Sequence, residues 1–369
     1  MALRDRFAIA QKLDWVMLSV TIILIAIGMA ILYSLLVNAD VPDVARFERQ
    51  MLAAVIGFVF LAALALLNYR VIENYTTMLY GVCILLLLAV LFFGAEIRGT
   101  QGWILVGGVS MQPVELVKIL YVIILAKFLS DHTQEMHHWR NIGLSMAATA
   151  VILGLILAQG ELGSVILIIT TWFGMLLLTG IHRWQVITIA FAGGIVAVLG
   201  FFFVLNDVQK SRLLVFADRD NPAYRLGIGY NLDQSIVAVG SGQLTGRGLG
   251  LGPQSQLNFL PEQETDFVFA AIAEELGFAG AITVIACFAI LLYRAVRLSS
   301  HARDDFAVFV SWGIAILFFV QIFINIGMNM GLAPVTGIPL PFVSAGGSAL
   351  VVNLMAIGLL QSLAIRGNR

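Results

Sequence analysis

Charge is what this sequence has least of. Its 21 basic and 22 acidic residues make up 12% of 369, about half the share of roughly 25% found in soluble domains. That scarcity excludes an ordinary soluble enzyme, a disordered chain and a nucleic-acid binder with a basic face. The formal net charge of -1 supplies no global field to steer a partner. Cysteine is almost absent. Cys83 and Cys287 both sit in apolar runs, which excludes a disulfide framework and leaves two small packing residues. What the chain has in excess is hydrophobic side chains, at 60%. A bilayer core takes roughly 20 apolar residues per helix, so the supply covers about ten helices.

Apolar runs separated by polar breaks fall at about 15-37, 51-68, 75-95, 112-130, 142-158, 163-180, 184-205, 267-293, 306-330 and 344-365. They predict an all-α polytopic membrane protein of about ten transmembrane helices, forming one domain over 1-369. The first run follows Arg4, Arg6 and Lys12 and is too long for a signal-peptide core, so it reads as an uncleaved anchor. Short loops on one side carry Arg70, Arg140, Arg183, Arg294, Arg297 and Arg303. The short loops of the other side hold only Arg46, Arg49 and Arg98. The positive-inside rule then places both termini in the cytoplasm. It makes 38-50, 96-111, 331-343 and one long loop, about 206-266 between the seventh and eighth helices, extracytoplasmic. That loop is glycine-rich but not of low complexity, and its stretch Ser235-Ile236-Val237-Ala238-Val239 suits an interfacial or re-entrant helix. The chain shows no matched pair of Gly-broken short helices in two halves, which counts against a secondary transporter.

Ionisable residues inside spans are candidates for function, because burying them in lipid is costly. In Gln112-Pro113-Val114-Glu115-Leu116-Val117-Lys118, the spacing of three puts Gln112, Glu115 and Lys118 on one helical face, with Pro113 suited to the first turn. A packing ion pair would explain Glu115 and Lys118; so would a cation facing a water-filled cavity that holds an anionic substrate. In Leu260-Pro261-Glu262-Gln263-Glu264-Thr265-Asp266-Phe267, Asp266 stands where the long loop becomes a helix. It reads either as an N-terminal cap, a role Thr265 suits equally, or as a general base at the membrane surface, where mutual repulsion among the three acids Glu262, Glu264 and Asp266 and partial burial raise one pKa. Glu274 and Glu275 follow in the same helix, as acids or as helix-to-helix hydrogen-bond partners. Glu161 stands in a short turn as a cap or a functional acid. Finally, Asn325-Ile326-Gly327-Met328-Asn329, Pro334, Gly337-Ile338-Pro339-Leu340-Pro341-Phe342 and Ser344-Ala345-Gly346-Gly347-Ser348 predict an irregular segment lining a protected cavity.

Together with Phe47-Glu48-Arg49-Gln50, these motifs resemble the SEDS family (shape, elongation, division and sporulation) of bacterial ten-span membrane proteins, over essentially the whole chain. Gly229-Tyr230 with Gln234-Ser235, and Gly252-Pro253-Gln254-Ser255-Gln256-Leu257, look more like its elongation member than its division member. The resemblance implies a peptidoglycan glycosyltransferase in the bacterial cytoplasmic membrane. Such an enzyme polymerises lipid II on the outer face with a class B penicillin-binding protein as partner. By motif match Asp266 is the family's essential aspartate, Glu115 and Lys118 its helix-borne acid and cation, and Arg49 the arginine of its first external loop. Arg98, Gln112, Thr265, Ser344 and Ser348 complete the set expected to contact substrate. The chain departs from the family pattern in three places. Gly102-Trp103 stands for the usual Arg-Trp, Gly160-Glu161 for Pro-Asp, and Ala345 for the tyrosine before Gly-Gly-Ser.

The chemistry so implied is attack of a GlcNAc 4-hydroxyl on the anomeric carbon of a MurNAc pyrophosphate, by a single inverting displacement. Asp266 would take the proton. Lys118, then Arg49 and Arg98, would stabilise the leaving pyrophosphate. No resident cofactor is expected, although a divalent cation, Mg or Mn, fits the pyrophosphate. Two other classes stay open: a lipid II flippase, which needs charges along a path through the membrane, and a scaffold of the wall-synthesis complex, which needs neither Asp266 nor Lys118.

Overall fold

In lipid, backbone groups have to satisfy one another, so apolar runs of this length become helices. The structure, a computed structural model, describes residues 11-37, 44-97, 100-106, 109-218, 227-257 and 259-367. In chain order the first elements are α1 (Trp15–Val37), α2 (Val44–Leu66), α3 (Tyr69–Asn74) and α4 (Thr76–Phe93). Strands β1 (Ala95–Ile97), β2 (Thr100–Val106) and β3 (Val109–Met111) come next, then α5 (Pro113–His132), α6 (Trp139–Ala158), α7 (Leu162–Leu178) and α8 (Arg183–Phe203). The long loop contains α9 (Asp207–Ala217), α10 (Ile228–Ser241) and α11 (Pro253–Gln256), and α12 (Val268–Ser299), α13 (Asp305–Asn329) and α14 (Gly347–Gly367) end the chain.

Among the described residues, eight helices are long and apolar enough to cross a membrane: α1, α2, α4, α6, α8, α12, α13 and α14. The other two expected runs are also helical. They are α5, whose 20 residues include Glu115, Lys118, Lys127 and Asp131, and the 17-residue α7. The bundle is sorted by burial. Residues 50, 53, 54, 57, 61 and 65 of α2 share one face and are buried, and that face packs on α14. By contrast, Gln185 is the one buried residue of α8, as suits a helix surrounded by lipid.

The all-α expectation misses one feature. The 96-111 loop forms a three-stranded antiparallel sheet in which Ala95 faces Trp103 and Ile104 faces Met111. Short runs rich in Val, Ile and Trp on either side of Gly107-Gly108 are a hairpin signal, which a count of apolar runs overlooks.

The expected single helix 267-293 is broken. Gly277 (φ 68°, ψ -166°) interrupts α12, and the loop after α10 repairs the break. Arg247 N–H donates to Glu274 O (2.9 Å) and Gly248 N–H to Glu275 O (3.0 Å), while Phe278 N–H donates to Gln243 O (2.8 Å). Two backbones can meet this closely only without side chains: a Cβ on Gly277 would stand 2.2 Å from Gly246 N. Positive φ adds strain for any other residue. Gly277→Ala is therefore expected to destabilise by about 1–3 kcal/mol or more, read as a lower melting temperature in detergent. Gly143→Ala in α6, where the added Cβ meets nothing within 4 Å, serves as the neutral control.

The break also assigns two acids. Glu274 accepts the backbone N–H groups of Gln254 (2.8 Å) and Ser255 (2.9 Å) at the start of α11. Glu275 accepts from Ser34 Oγ of α1 (2.8 Å) and Gln256 Nε2 (3.1 Å). Both act as hydrogen-bond anchors that tie the long loop to α12 and α1.

Candidate active site

At the end of the bundle that carries the long loop, the N-termini of α5 and α7, the residues before α12 and the 336-349 segment enclose a cavity of about 190 Å³. Gln112, Glu115, Lys118, Glu161, Ser164, Arg212, Thr265, Asp266, Thr336 and Ser348 supply its polar lining, with Thr100 and Trp103 of β2 on one wall.

Helix α5 opens at Pro113, whose ring pre-sets the first helical φ. One turn in, Lys118 Nζ lies 2.8 Å from Glu115 Oε1, with both side chains under 5% exposed. Desolvating two charges costs several kcal/mol per ion, and an apolar pair of the same volume would be no less stable. The pair is thus poorly explained by stability and well explained by a lysine kept charged at a cavity wall.

Asp266 lies in a tight turn where the N–H groups of Thr265, Asp266 and Phe267 all point to Glu262 O. It is not the helix cap. The cap position falls at Phe267, which makes no side-chain cap bond, and the Ala270 N–H is taken instead by Asn329 Oδ1 of α13 (3.0 Å). The Asp266 carbonyl accepts from Asn325 Nδ2 (3.1 Å) and Asn329 Nδ2 (3.0 Å). Asn325 also donates to Ile338 O (2.8 Å), and Ser344 Oγ donates to Thr265 O (2.6 Å) while accepting from Leu340 N–H (2.8 Å). The end of α13 and the irregular 330-346 segment after it therefore hold Asp266 and its turn by the backbone and leave the carboxylate to the cavity lining.

The long loop adds a cation that inspection of the sequence missed. Asn206 caps α9 in a reciprocal box with Gln209, and Gln209 Nε2 donates to Gly160 O (3.0 Å). One turn on, Arg212 Nη1 donates to Thr336 O (3.3 Å). Arg212 Nη1 and Asp266 Oδ2 lie 3.5 and 3.6 Å from where a Cβ on Gly337 would stand. The signal in the sequence was the Asn206-to-Gln209 capping box, which starts a helix inside the loop and aims its next turn.

Other expected residues fall elsewhere. Arg49 is exposed, outside the cavity lining, and its Nε donates to Ala45 O of its own helix (3.2 Å). On the same helix Arg46 pairs with Glu264, and Gln50 Oε1 accepts from Gly346 N–H (3.1 Å). Ser344 supports the Asp266 turn without lining the cavity. Arg98 lies outside the described residues.

Glu161, in the turn between α6 and α7, is 7% exposed, and burial pushes its carboxyl above the usual range, with the Glu115 charge acting the same way. Hydrogen bonds from Gln112 and Ser164 and the Lys118 charge oppose the shift. A carboxyl raised on folding contributes stability below its unfolded pKa and loses it as pH rises through the folded value. Glu161→Gln is therefore expected to gain melting temperature over the wild type between pH 5 and pH 8. A difference that stays flat with pH counts against the shift.

A larger cavity, of about 310 Å³, lies among α4, α5 and α6 toward the other end of α5. Its lysine, Lys127, is paired with Asp131 (2.7 Å) and Glu73 (3.2 Å), and the rest of its polar lining is mainly hydroxyl. Size alone does not choose the site; the gathering of Asp266, Arg212 and the buried Lys118–Glu115 pair around one cavity does. Among the described residues no three His, Cys, Asp or Glu side chains converge as metal ligands.

The sequence model of the FtsW, RodA and SpoVE family, described as cell cycle protein, matches residues 14-368. The chain belongs to this family. Peptidoglycan glycosyltransferase MrdB of Escherichia coli K12 is 36% identical over 356 residues, covering 95% of this chain and 94% of the relative. A solved chain from work described as structural coordination of polymerization and crosslinking by a peptidoglycan synthase complex superposes with a TM-score of 0.81. It is 26% identical, with 95% of this chain and 97% of that one covered. The crystal structure of Thermus thermophilus RodA gives a TM-score of 0.70 at 26% identity over 95% of this chain and 96% of its own. This member of the FtsW/RodA/SpoVE family is thus a multi-pass membrane protein that shares its fold with these solved chains.

Proposed function

We propose that the chain polymerises lipid II into β-1,4-linked glycan during cell elongation, in the bacterial cytoplasmic membrane, with its cavity facing outward. The observation that carries this reading is the meeting of Asp266, the buried Lys118–Glu115 pair and Arg212 around one cavity, in a chain alike along its length to a named peptidoglycan glycosyltransferase. The positive-inside count supports both termini in the cytoplasm, and α5 and α7 then complete ten spans. Asp266 takes the proton of the acceptor 4-hydroxyl as that oxygen attacks the donor's anomeric carbon. The bond to pyrophosphate breaks on the opposite face, which inverts the α-linked donor to a β-linked product. Lys118 and Arg212 stabilise the charge that builds on the pyrophosphate. Glu115 holds Lys118 in place, and lipid-facing grooves take the polyprenyl tails.

The test is glycan synthesis from purified lipid II in detergent, with and without a cognate class B penicillin-binding protein. Polymer supports the reading. Transbilayer movement of lipid II without polymer would make the chain a flippase, and neither activity in a folded complex would make it a scaffold. Removing divalent cations with EDTA and restoring Mg²⁺ or Mn²⁺ separates a cation carried on the pyrophosphate from stabilisation by side chains alone.

A further inference from the structure

Four parts of the cavity meet at the 159-161 turn. Gln101 N–H of β2 donates to Gln159 O (3.0 Å), and Gln209 of α9 donates to Gly160 O (3.0 Å). Glu161 Oε1 accepts from Gln112 Nε2 (2.5 Å), and Oε2 accepts from Ser164 Oγ (3.1 Å). The chemistry above gives this buried carboxyl no proton to move. A Cβ on Gly102 would stand 2.2 Å from Glu161 Oε1, so no side chain at 102 coexists with the carboxyl in this position.

We propose that Glu161 is a positioning residue whose carboxyl fills the space left open by Gly102 and clamps Gln112, fixing how α5 presents Glu115 and Lys118 to substrate. Gln112 is the N-cap of α5 and makes no side-chain bond to its own helix. The start of α5 is held from outside, by Glu161 on the Gln112 side chain and by Ser348 Oγ on its N–H (3.4 Å). Lys118 stands six residues along, roughly 9 Å at the helical rise, so a shift at Gln112 carries directly into the ion pair. A misplacement of about 1 Å near a reacting centre costs roughly 10²-fold in rate. The clamp needs an acceptor at Oε1 rather than a charge, so glutamine serves in place of glutamate.

The proposal rests on the polymerase reading for its activity readout, and melting temperatures give a second readout that does not. The full chain with its transpeptidase partner is assayed as wild type, Gly102→Ala, Glu161→Asp and Gly102→Ala/Glu161→Asp, with Glu161→Gln and Glu161→Ala beside them. Gly102→Ala is expected to lose about 10-fold or more in kcat with little change in KM. Adding Glu161→Asp vacates the space and brings back activity and melting temperature above Gly102→Ala alone. Glu161→Gln keeps most activity, and Glu161→Ala does not. A fully active Gly102→Ala, a double variant no better than Gly102→Ala in rate and melting temperature, or Gln and Ala variants equally impaired would each overturn it. A wild type that makes no polymer overturns the polymerase reading and the positioning role with it. An active wild type with uncoupled variants overturns the positioning role alone.

Discussion

Asp266→Asn is expected to remove glycan polymerisation, by roughly 10²–10⁴-fold, the range that a positioned base contributes, while leaving the protein folded. The second half of that expectation follows from how the residue is held. Asn325 and Asn329 bind the Asp266 backbone carbonyl, and Asn329 also caps the following helix at Ala270. Changing the side chain from carboxylate to amide leaves those bonds in place. The measurement is polymer on a gel, melting temperature and co-purification with the transpeptidase, all on the same preparation. Lost polymer with unchanged melting and binding assigns Asp266 to the chemistry. Equal polymer from both chains removes it, and lost folding would mean that the carboxylate is structural.

Much of this arrangement was legible before any coordinates, and what was not has physical causes. The apolar runs mark the spans because lipid sets the length and polarity of whatever crosses it. Glu115 and Lys118 could be placed on one face from spacing alone, because helical periodicity is local. The role of Glu274 and Glu275 could not, because their partners, Ser34, Gln254, Ser255 and Gln256, are distant in sequence. The break at Gly277 was hidden for the same reason: the glycines at 242 and 246 look like loop flexibility until a second backbone is seen against them. Arg49 stood out as a loop cation, yet Arg46 and Gln50 on the same helix make the cross-loop contacts. Arg212 went unnoticed because nothing short of the fold brings α9 over Thr336. Two departures from the family pattern, at Gly102 and Glu161, looked independent along the chain and are neighbours in space.

The buried pair allows stability and function to be pulled apart. Lys118→Met leaves Glu115 buried without its cation and is expected to cost about 3–5 kcal/mol, as removal of one partner of a buried pair does. Lys118→Met/Glu115→Leu removes both charges at similar volume and should melt at or above the wild type, because the desolvation penalty disappears with the ions. Activity is expected to follow the other course. The double variant, although stable, has lost the cation proposed to stabilise the pyrophosphate, and should make no more polymer than the single variant. If the pair existed only to pack α5, restoring stability would restore polymerisation. The comparison therefore needs both readouts on both variants. A stable, inactive double variant means that the chain tolerates a charge pair under 5% exposed because the leaving group needs the lysine there.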